Sequence, residues 1–99
     1  MAKESDLQQK ITKWLRSQKC FVWKMQQNAT TQAGVSDLFF CKEGFYGFIE
    51  VKKTKSSPRR PGQEAFVRKM DEWSWAKIVW GGKNSNWPEV REELMEILK

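Results

Sequence analysis

The chain has 99 residues, and its 18 basic and 12 acidic side chains give a net charge of +6. This length predicts a single domain spanning residues 1–99. The charge favours a polyanionic partner, nucleic acid first and an anionic membrane surface second, or else an ordinary solvated basic surface. Histidine is absent, which excludes histidine-dependent zinc sites, Ser-His triads and His-based nucleases. Any catalysis would use carboxylates, lysine and hard metal ions.

Neither a membrane span nor a secretory signal is expected. No apolar run approaches the roughly 20 residues that a span needs, and the first residues, MAKESDLQQK, lack the apolar stretch of a signal peptide. Cys20 and Cys41 lack the C-x-x-C spacing and are interpreted as reduced thiols. We therefore expect a cytoplasmic protein without a membrane partner.

Hydrophobic spacing predicts the order α-β-β-β-α-β-α. The predicted elements are a helix at 3–18, strands at 20–26, 35–41 and 45–53, a helix at 61–73, a strand at 76–82 and a helix at 87–99. The short link at 42–44 joins the second and third strands into a hairpin. The segments at 28–34 and 54–62 are predicted to be loops.

Three charged side chains lie inside the predicted hairpin strands, namely Asp37, Glu50 and Lys52. Residues two apart in a strand share a face, so Glu50 and Lys52 point the same way and Val51 points opposite. Asp37, on the adjacent strand, can come within a few ångströms of Glu50. Two carboxylates this close repel unless one is protonated or a cation lies between them. Mg²⁺ suits such a pair, which predicts a metal site beside Lys52.

The E-x-K triplet and two helix residues, Glu4 and Gln63, each have a structural interpretation as well as a catalytic one. The E-x-K triplet, which is weak evidence when taken alone, favours an exposed cross-strand ion pair. Glu4 and Gln63 each lie in the first turn of a predicted helix, on its apolar stripe, and both could point at the sheet. Glu4 could instead be a carboxylate that interacts with the helix dipole, and Gln63 could be an exposed polar residue.

Five of the six tryptophans divide into two groups by position. Trp14, Trp73 and Trp80 fit core positions of the predicted helices and strand. Trp75 or Trp87 could face a partner subunit or a nucleic-acid base. The sequence pattern does not separate these two uses.

The segments GVSD (34–37) and IEVK (49–52), together with Gln63 and a preceding helix that carries Glu4, resemble the PD-(D/E)xK nuclease superfamily. The resemblance is to its small stand-alone VRR-NUC domains from phages and bacteria, and it extends to about Gly82. It implies a restriction-endonuclease-like αβββαβ core, with a central mixed sheet flanked by helices, to which this chain adds a C-terminal helix. Ser36 stands where proline is common in the family.

By this resemblance, one group of residues forms the active site. The implied ligands of Mg²⁺ or Mn²⁺ are Asp37, Glu50 and the backbone carbonyl of Val51. Lys52 would orient or activate the attacking water. The implied supporting residues are Glu4, at the metal site, and Gln63, from the second helix.

The resemblance also implies a substrate and an assembly. It predicts a metal-dependent endonuclease that cuts branched DNA such as Holliday junctions and acts as a homodimer, encoded by a bacterium or a phage. The basic residues that follow the site are expected to contact the DNA backbone or else to be solvated; they are Lys53, Lys55, Arg59 and Arg60. One alternative is a non-catalytic nucleic-acid-binding module on a nuclease-like fold. Another is an interaction protein whose hairpin charges form structural ion pairs.

Overall fold

A computed structural model of the protein describes residues 4–25, 36–58 and 62–99. These residues form an α/β fold with the element order that the sequence predicts. The helices are α1 (Glu4–Ser17), α2 (Gln63–Trp73) and α3 (Trp87–Ile97), and the strands are β1 (Phe21–Lys24), β2 (Leu38–Lys42), β3 (Phe45–Lys52) and β4 (Ala76–Trp80). No helix in these ranges is long and apolar enough to cross a membrane.

The strands form one mixed sheet in the order β1-β2-β3-β4. β1, β2 and β3 are mutually antiparallel, whereas β4 runs parallel to β3 because α2 carries the chain back across the sheet. The β2–β3 hairpin turns at Glu43 and Gly44, whose φ angles are 47° and 87°. Positive φ at both central residues is typical of the two-residue turns that match the twist of paired strands. The predicted hairpin and the mixed sheet are therefore confirmed.

Different helices cover the two faces of the sheet. Ile49 and Val51 of β3 are fully buried in a core cluster with Ile11 and Leu15 of α1. The same cluster includes residues of α3, namely Trp87, Val90 and Leu94. Glu50 points to the opposite face, where α2 contacts it. Alternation along β3 thus separates an apolar core, under α1 and α3, from a charged group under α2.

The tryptophans are distributed differently from the prediction. Trp75 and Trp87, considered for a partner or a base, are only 5% and 2% exposed and belong to the core. Trp73, predicted in the core, is 65% exposed at the last residue of α2. The prediction for Trp73 is therefore wrong, and Trp75, just after the helix, is the residue that packs edge-on against Phe40 in the core, with ring centres 5.7 Å apart. The other two tryptophans predicted for the core are half-buried, Trp14 and Trp80.

Gly47, inside β3, has no room for a side chain. It pairs with Phe40 of β2, and a Cβ atom at Gly47 would lie 2.7 Å from Cζ of Phe40 and 3.0 Å from the ring of Trp75. These separations are well below ordinary carbon–carbon contact distances. The two aromatic rings therefore require glycine at this position.

We expect Gly47→Ala to lower the free energy of unfolding by about 1–3 kcal/mol, because overpacking forces the rings from their positions. Urea denaturation measures this change. Phe40→Leu should relieve part of the clash, so the double variant should lose less stability than the two single variants combined. Strictly additive losses would show that the Phe40 ring does not restrict position 47.

Candidate active site

The charged residues of β3 lie at its C-terminal end, between β2 and β4. Glu50 and Lys52 share the α2 face of the sheet, and Val51 lies in the opposite core, as the period of two predicts. Glu50 is 1% exposed and Lys52 is 7% exposed, so little of either residue meets solvent. The alternative of an exposed cross-strand ion pair is wrong, because this pair is buried and lies within one strand.

Two donors hold the Glu50 carboxylate. The side-chain amide of Gln63 donates to Oε2 of Glu50 at 2.7 Å, and Nζ of Lys52 lies 3.3 Å from the same oxygen. A carboxylate removed from water is destabilised by several kcal/mol unless an opposite charge and hydrogen bonds offset that cost. The ammonium group and the amide together fix both the charge and the orientation of Glu50.

The start of α2 determines the position of Gln63. Gly62 precedes it with a φ of 86°, a backbone conformation that glycine adopts without strain. The helix then begins over β3, with Gln63 fully buried although its side chain is polar. The alternative of an exposed first-turn glutamine is therefore wrong, and the hydrogen bond to Glu50 explains the burial.

Asp37 lies immediately before β2 rather than inside it, which corrects the predicted strand. Its main-chain oxygen accepts a hydrogen bond from the amide of Met25 at 2.7 Å, just past the end of β1. Its side chain turns toward β3, where Oδ2 accepts a hydrogen bond from the backbone N–H of Val51 at 2.7 Å. The carboxylate thus takes the place of a backbone partner where the β2–β3 ladder ends. It rests on the peptide group that joins Glu50 to Val51.

The oxygen atoms at this point are those that a hard divalent cation prefers. Because the N–H and C=O of one strand residue face the same neighbouring strand, the Val51 carbonyl is directed to the side of Asp37. Within the described ranges, no group of three or more Asp, Glu, Cys or His side chains could hold a metal ion. A cation here would take two carboxylates, one carbonyl and water, a donor set that fits Mg²⁺.

Lys52 also borders an open cleft of about 440 Å³. Glu4, the first residue of α1, lines this cleft together with Lys52. Glu4 and Lys52 thus share one cleft, and the role of Glu4 at a metal site stays a prediction. Asp37 and Glu50 do not line it, so Lys52 connects the buried carboxylate group to the cleft.

The predicted DNA-contact residues lie in different places. Lys53 is exposed and lines the cleft beside Lys52. Lys55 lines a separate groove, and its ammonium group lies 5.6 Å from the centre of the Trp80 ring. Arg59 and Arg60 lie outside the described residues. Of Lys53 and Lys55, only Lys53 therefore lines the same cleft as Lys52.

Two basic residues of the cleft were missed from the sequence, Lys10 of α1 and Arg91 of α3. A weak signal was present. Lys10 follows Leu7 by three residues and Arg91 follows Trp87 by four, and these spacings align residues on one face of a helix. Nothing in the sequence indicated that the N-terminal halves of α1 and α3 would border the same cleft as Lys52.

Burial raises the pKa of the Cys20 thiol, an effect that nearby Lys42 opposes and Cys41 adds to. A raised thiol pKa keeps the neutral form dominant near pH 7, and the neutral thiol is a poor nucleophile. Both cysteines are free thiols. Cys20 is therefore a core residue rather than a second candidate for catalysis.

No protein-family model, curated protein or solved structure matches the chain. Function is inferred from the motif and from the geometry of these residues.

We expect Lys52→Met to lower the free energy of unfolding by about 3–5 kcal/mol, because it leaves the Glu50 carboxylate buried without its counter-charge. Urea denaturation at neutral pH measures the loss. Lys53→Met is the matched control: the neighbouring side chain is exposed, so it should change stability by less than about 0.5 kcal/mol. Equal effects of the two substitutions would show that Lys52 does not neutralise Glu50.

Proposed function

We propose that this protein is a Mg²⁺- or Mn²⁺-dependent DNA endonuclease that hydrolyses phosphodiester bonds, with branched DNA such as Holliday junctions as its substrate. The observation that carries the proposal is the hydrogen bond from the Val51 N–H to the Asp37 carboxylate, which brings Asp37 to the residue that follows Glu50, together with the contact between Lys52 and Glu50. This arrangement agrees with the motif by which the chain resembles PD-(D/E)xK nucleases of the VRR-NUC type. The net charge of +6 agrees with a polyanionic substrate.

In this proposal, the residues of the site have separate roles. Asp37, Glu50 and the Val51 carbonyl hold the cation, and Gln63 keeps the Glu50 carboxylate in one orientation through its 2.7 Å hydrogen bond. The cation, when bound, supplies charge stabilisation at the phosphate and lowers the pKa of water.

Lys52 is positioned between the buried group and the open cleft. Its ammonium group would hold the attacking water and offset the negative charge that grows on the phosphate. Glu4 borders the same cleft and would assist at the metal site. A homodimer is part of this proposal, because two sites related by a two-fold axis cut two strands of a symmetric junction.

Two other functions remain to be distinguished by experiment. A non-catalytic nucleic-acid-binding module would bind DNA without cutting it. The 3.3 Å contact between Lys52 and Glu50 also favours a structural ion pair in an interaction protein. In that case Mn²⁺ would leave the melting temperature unchanged, whereas a metal-binding nuclease is stabilised by its ligand.

We expect the wild-type protein to cleave labelled DNA in the presence of Mn²⁺, with a four-way junction cut faster than duplex, flap or single-stranded DNA of the same sequence. Asp37→Asn should abolish cleavage, because its amide oxygen still accepts the Val51 hydrogen bond but no longer carries the charge that binds a cation. Gel electrophoresis of the end-labelled strands measures both results.

Glu72→Gln is the control, since it removes one exposed carboxylate of α2 and should retain wild-type cleavage. Cleavage by Asp37→Asn at the wild-type rate would contradict the assignment of the site. Tight binding of every substrate without cleavage would favour the non-catalytic module instead.

A further inference from the structure

The cleft beside Lys52 lies where several elements meet. Its walls come from the first turns of α1, the start of α3, the end of β3 and the Gly81–Gly82 pair that follows β4. Its volume of about 440 Å³ is within the range of roughly 300–1,000 Å³ that is typical of ligand sites. The cationic side chains that line it are Lys10, Lys52, Lys53 and Arg91.

The electrostatic character of the cleft favours an anion. Four cationic side chains line it against two carboxylates, those of Glu4 and Asp6. The N-terminal ends of α1 and α3 border it as well, and a helix N-terminus adds a partial positive charge.

Three of these cations are available to a ligand. Lys52 pairs with Glu50, whereas Lys10, Lys53 and Arg91 form no ion pair with any carboxylate in the ranges 4–25, 36–58 and 62–99. Lys10 and Lys53 are exposed, and Arg91 is half-buried. An arginine held partly out of solvent presents its planar donors to phosphate better than a fully solvated one, since it has less hydration to lose.

We propose that this cleft binds a phosphate of the DNA backbone, next to the phosphate at which the strand is cut. Arg91 and Lys10 are its principal ligands. The proposal rests on the proposed function, because it takes DNA as the phosphate donor. Arg91 lies on α3, beyond the αβββαβ segment that carries the nuclease-like motif. The C-terminal helix thus has a role of its own: together with α1 it holds the strand against Lys52.

The test is DNA binding in EDTA, where no metal-dependent cleavage occurs. Fluorescence anisotropy with a labelled duplex, titrated over a series of NaCl concentrations, measures affinity and its salt dependence. Arg91→Ala and Lys10→Ala should each weaken binding about tenfold, as the loss of one charged hydrogen bond predicts, and should reduce the salt slope by about one.

Matched controls come from the same chain. Two control variants each remove one positive charge outside the cleft. Lys13→Ala changes a residue of α1 that lines a different groove, and Arg68→Ala changes an exposed residue of α2. Each should weaken binding less than about twofold. Losses in the controls equal to those at Arg91 and Lys10 would mean that net charge alone attracts DNA, and would overturn the proposal.

The outcomes separate this proposal from the proposed function. If the wild-type protein cuts DNA, but Arg91→Ala and Lys10→Ala bind DNA as tightly as wild type, the proposed function stands and the phosphate-binding role of the cleft is refuted. If the wild-type protein cuts no DNA, but Arg91→Ala and Lys10→Ala both weaken DNA binding and the controls do not, the phosphate-binding role of the cleft stands and the nuclease function is refuted. Lys10 is exposed on α1, so its variant should fold. Arg91→Gln, with its melting temperature compared to wild type, repeats the test on α3 with a polar, uncharged side chain that keeps the Cβ, Cγ and Cδ atoms of arginine.

Discussion

A carboxylate that is 1% exposed, in the middle of a sheet, constrains everything around it. Glu50 has to receive a hydrogen-bond donor and a positive charge inside the fold, because water reaches it poorly. Gln63 supplies the donor, which requires α2 to begin directly over β3. Lys52 supplies the charge, which requires β3 to continue two residues further in the same extended conformation. The positions of α2 and of the end of β3 thus follow from one buried charge.

The opposite side of β3 explains why this geometry is rigid. Val51 is fully buried under α1 and α3, while its backbone N–H binds the Asp37 carboxylate. The same residue therefore connects the apolar core to the acidic group. A site held on the central strand of a packed sheet keeps its side chains closer to a fixed geometry than a site on loops does. The open cleft, bordered by exposed lysines, provides the accessible part.

Much of this could be predicted from the sequence, because period-two and helical patterns identify which residues share a face. These patterns predicted the element order and the shared face of Glu50 and Lys52, and they allowed Gln63 to point at the sheet. They failed for Trp73 and Trp75, because which of two nearby aromatic residues enters the core depends on where α2 ends. They also missed Lys10 and Arg91, since no pattern within one helix shows which other helix will lie beside it. The start of β2 was placed too early, because the Asp37 side chain replaces a backbone hydrogen bond.

We propose that Asp37 and Glu50 bind one dication next to the Val51 peptide. Paramagnetic broadening by substoichiometric Mn²⁺ in a ¹⁵N-labelled sample locates the ion directly, because the effect falls off steeply with distance. We expect the amide signals of Asp37, Glu50 and Val51 to broaden first, and Asp37→Asn to remove the effect. Broadening centred on the surface acids Glu92 and Glu93 of α3, with the Val51 signal unaffected, would contradict it.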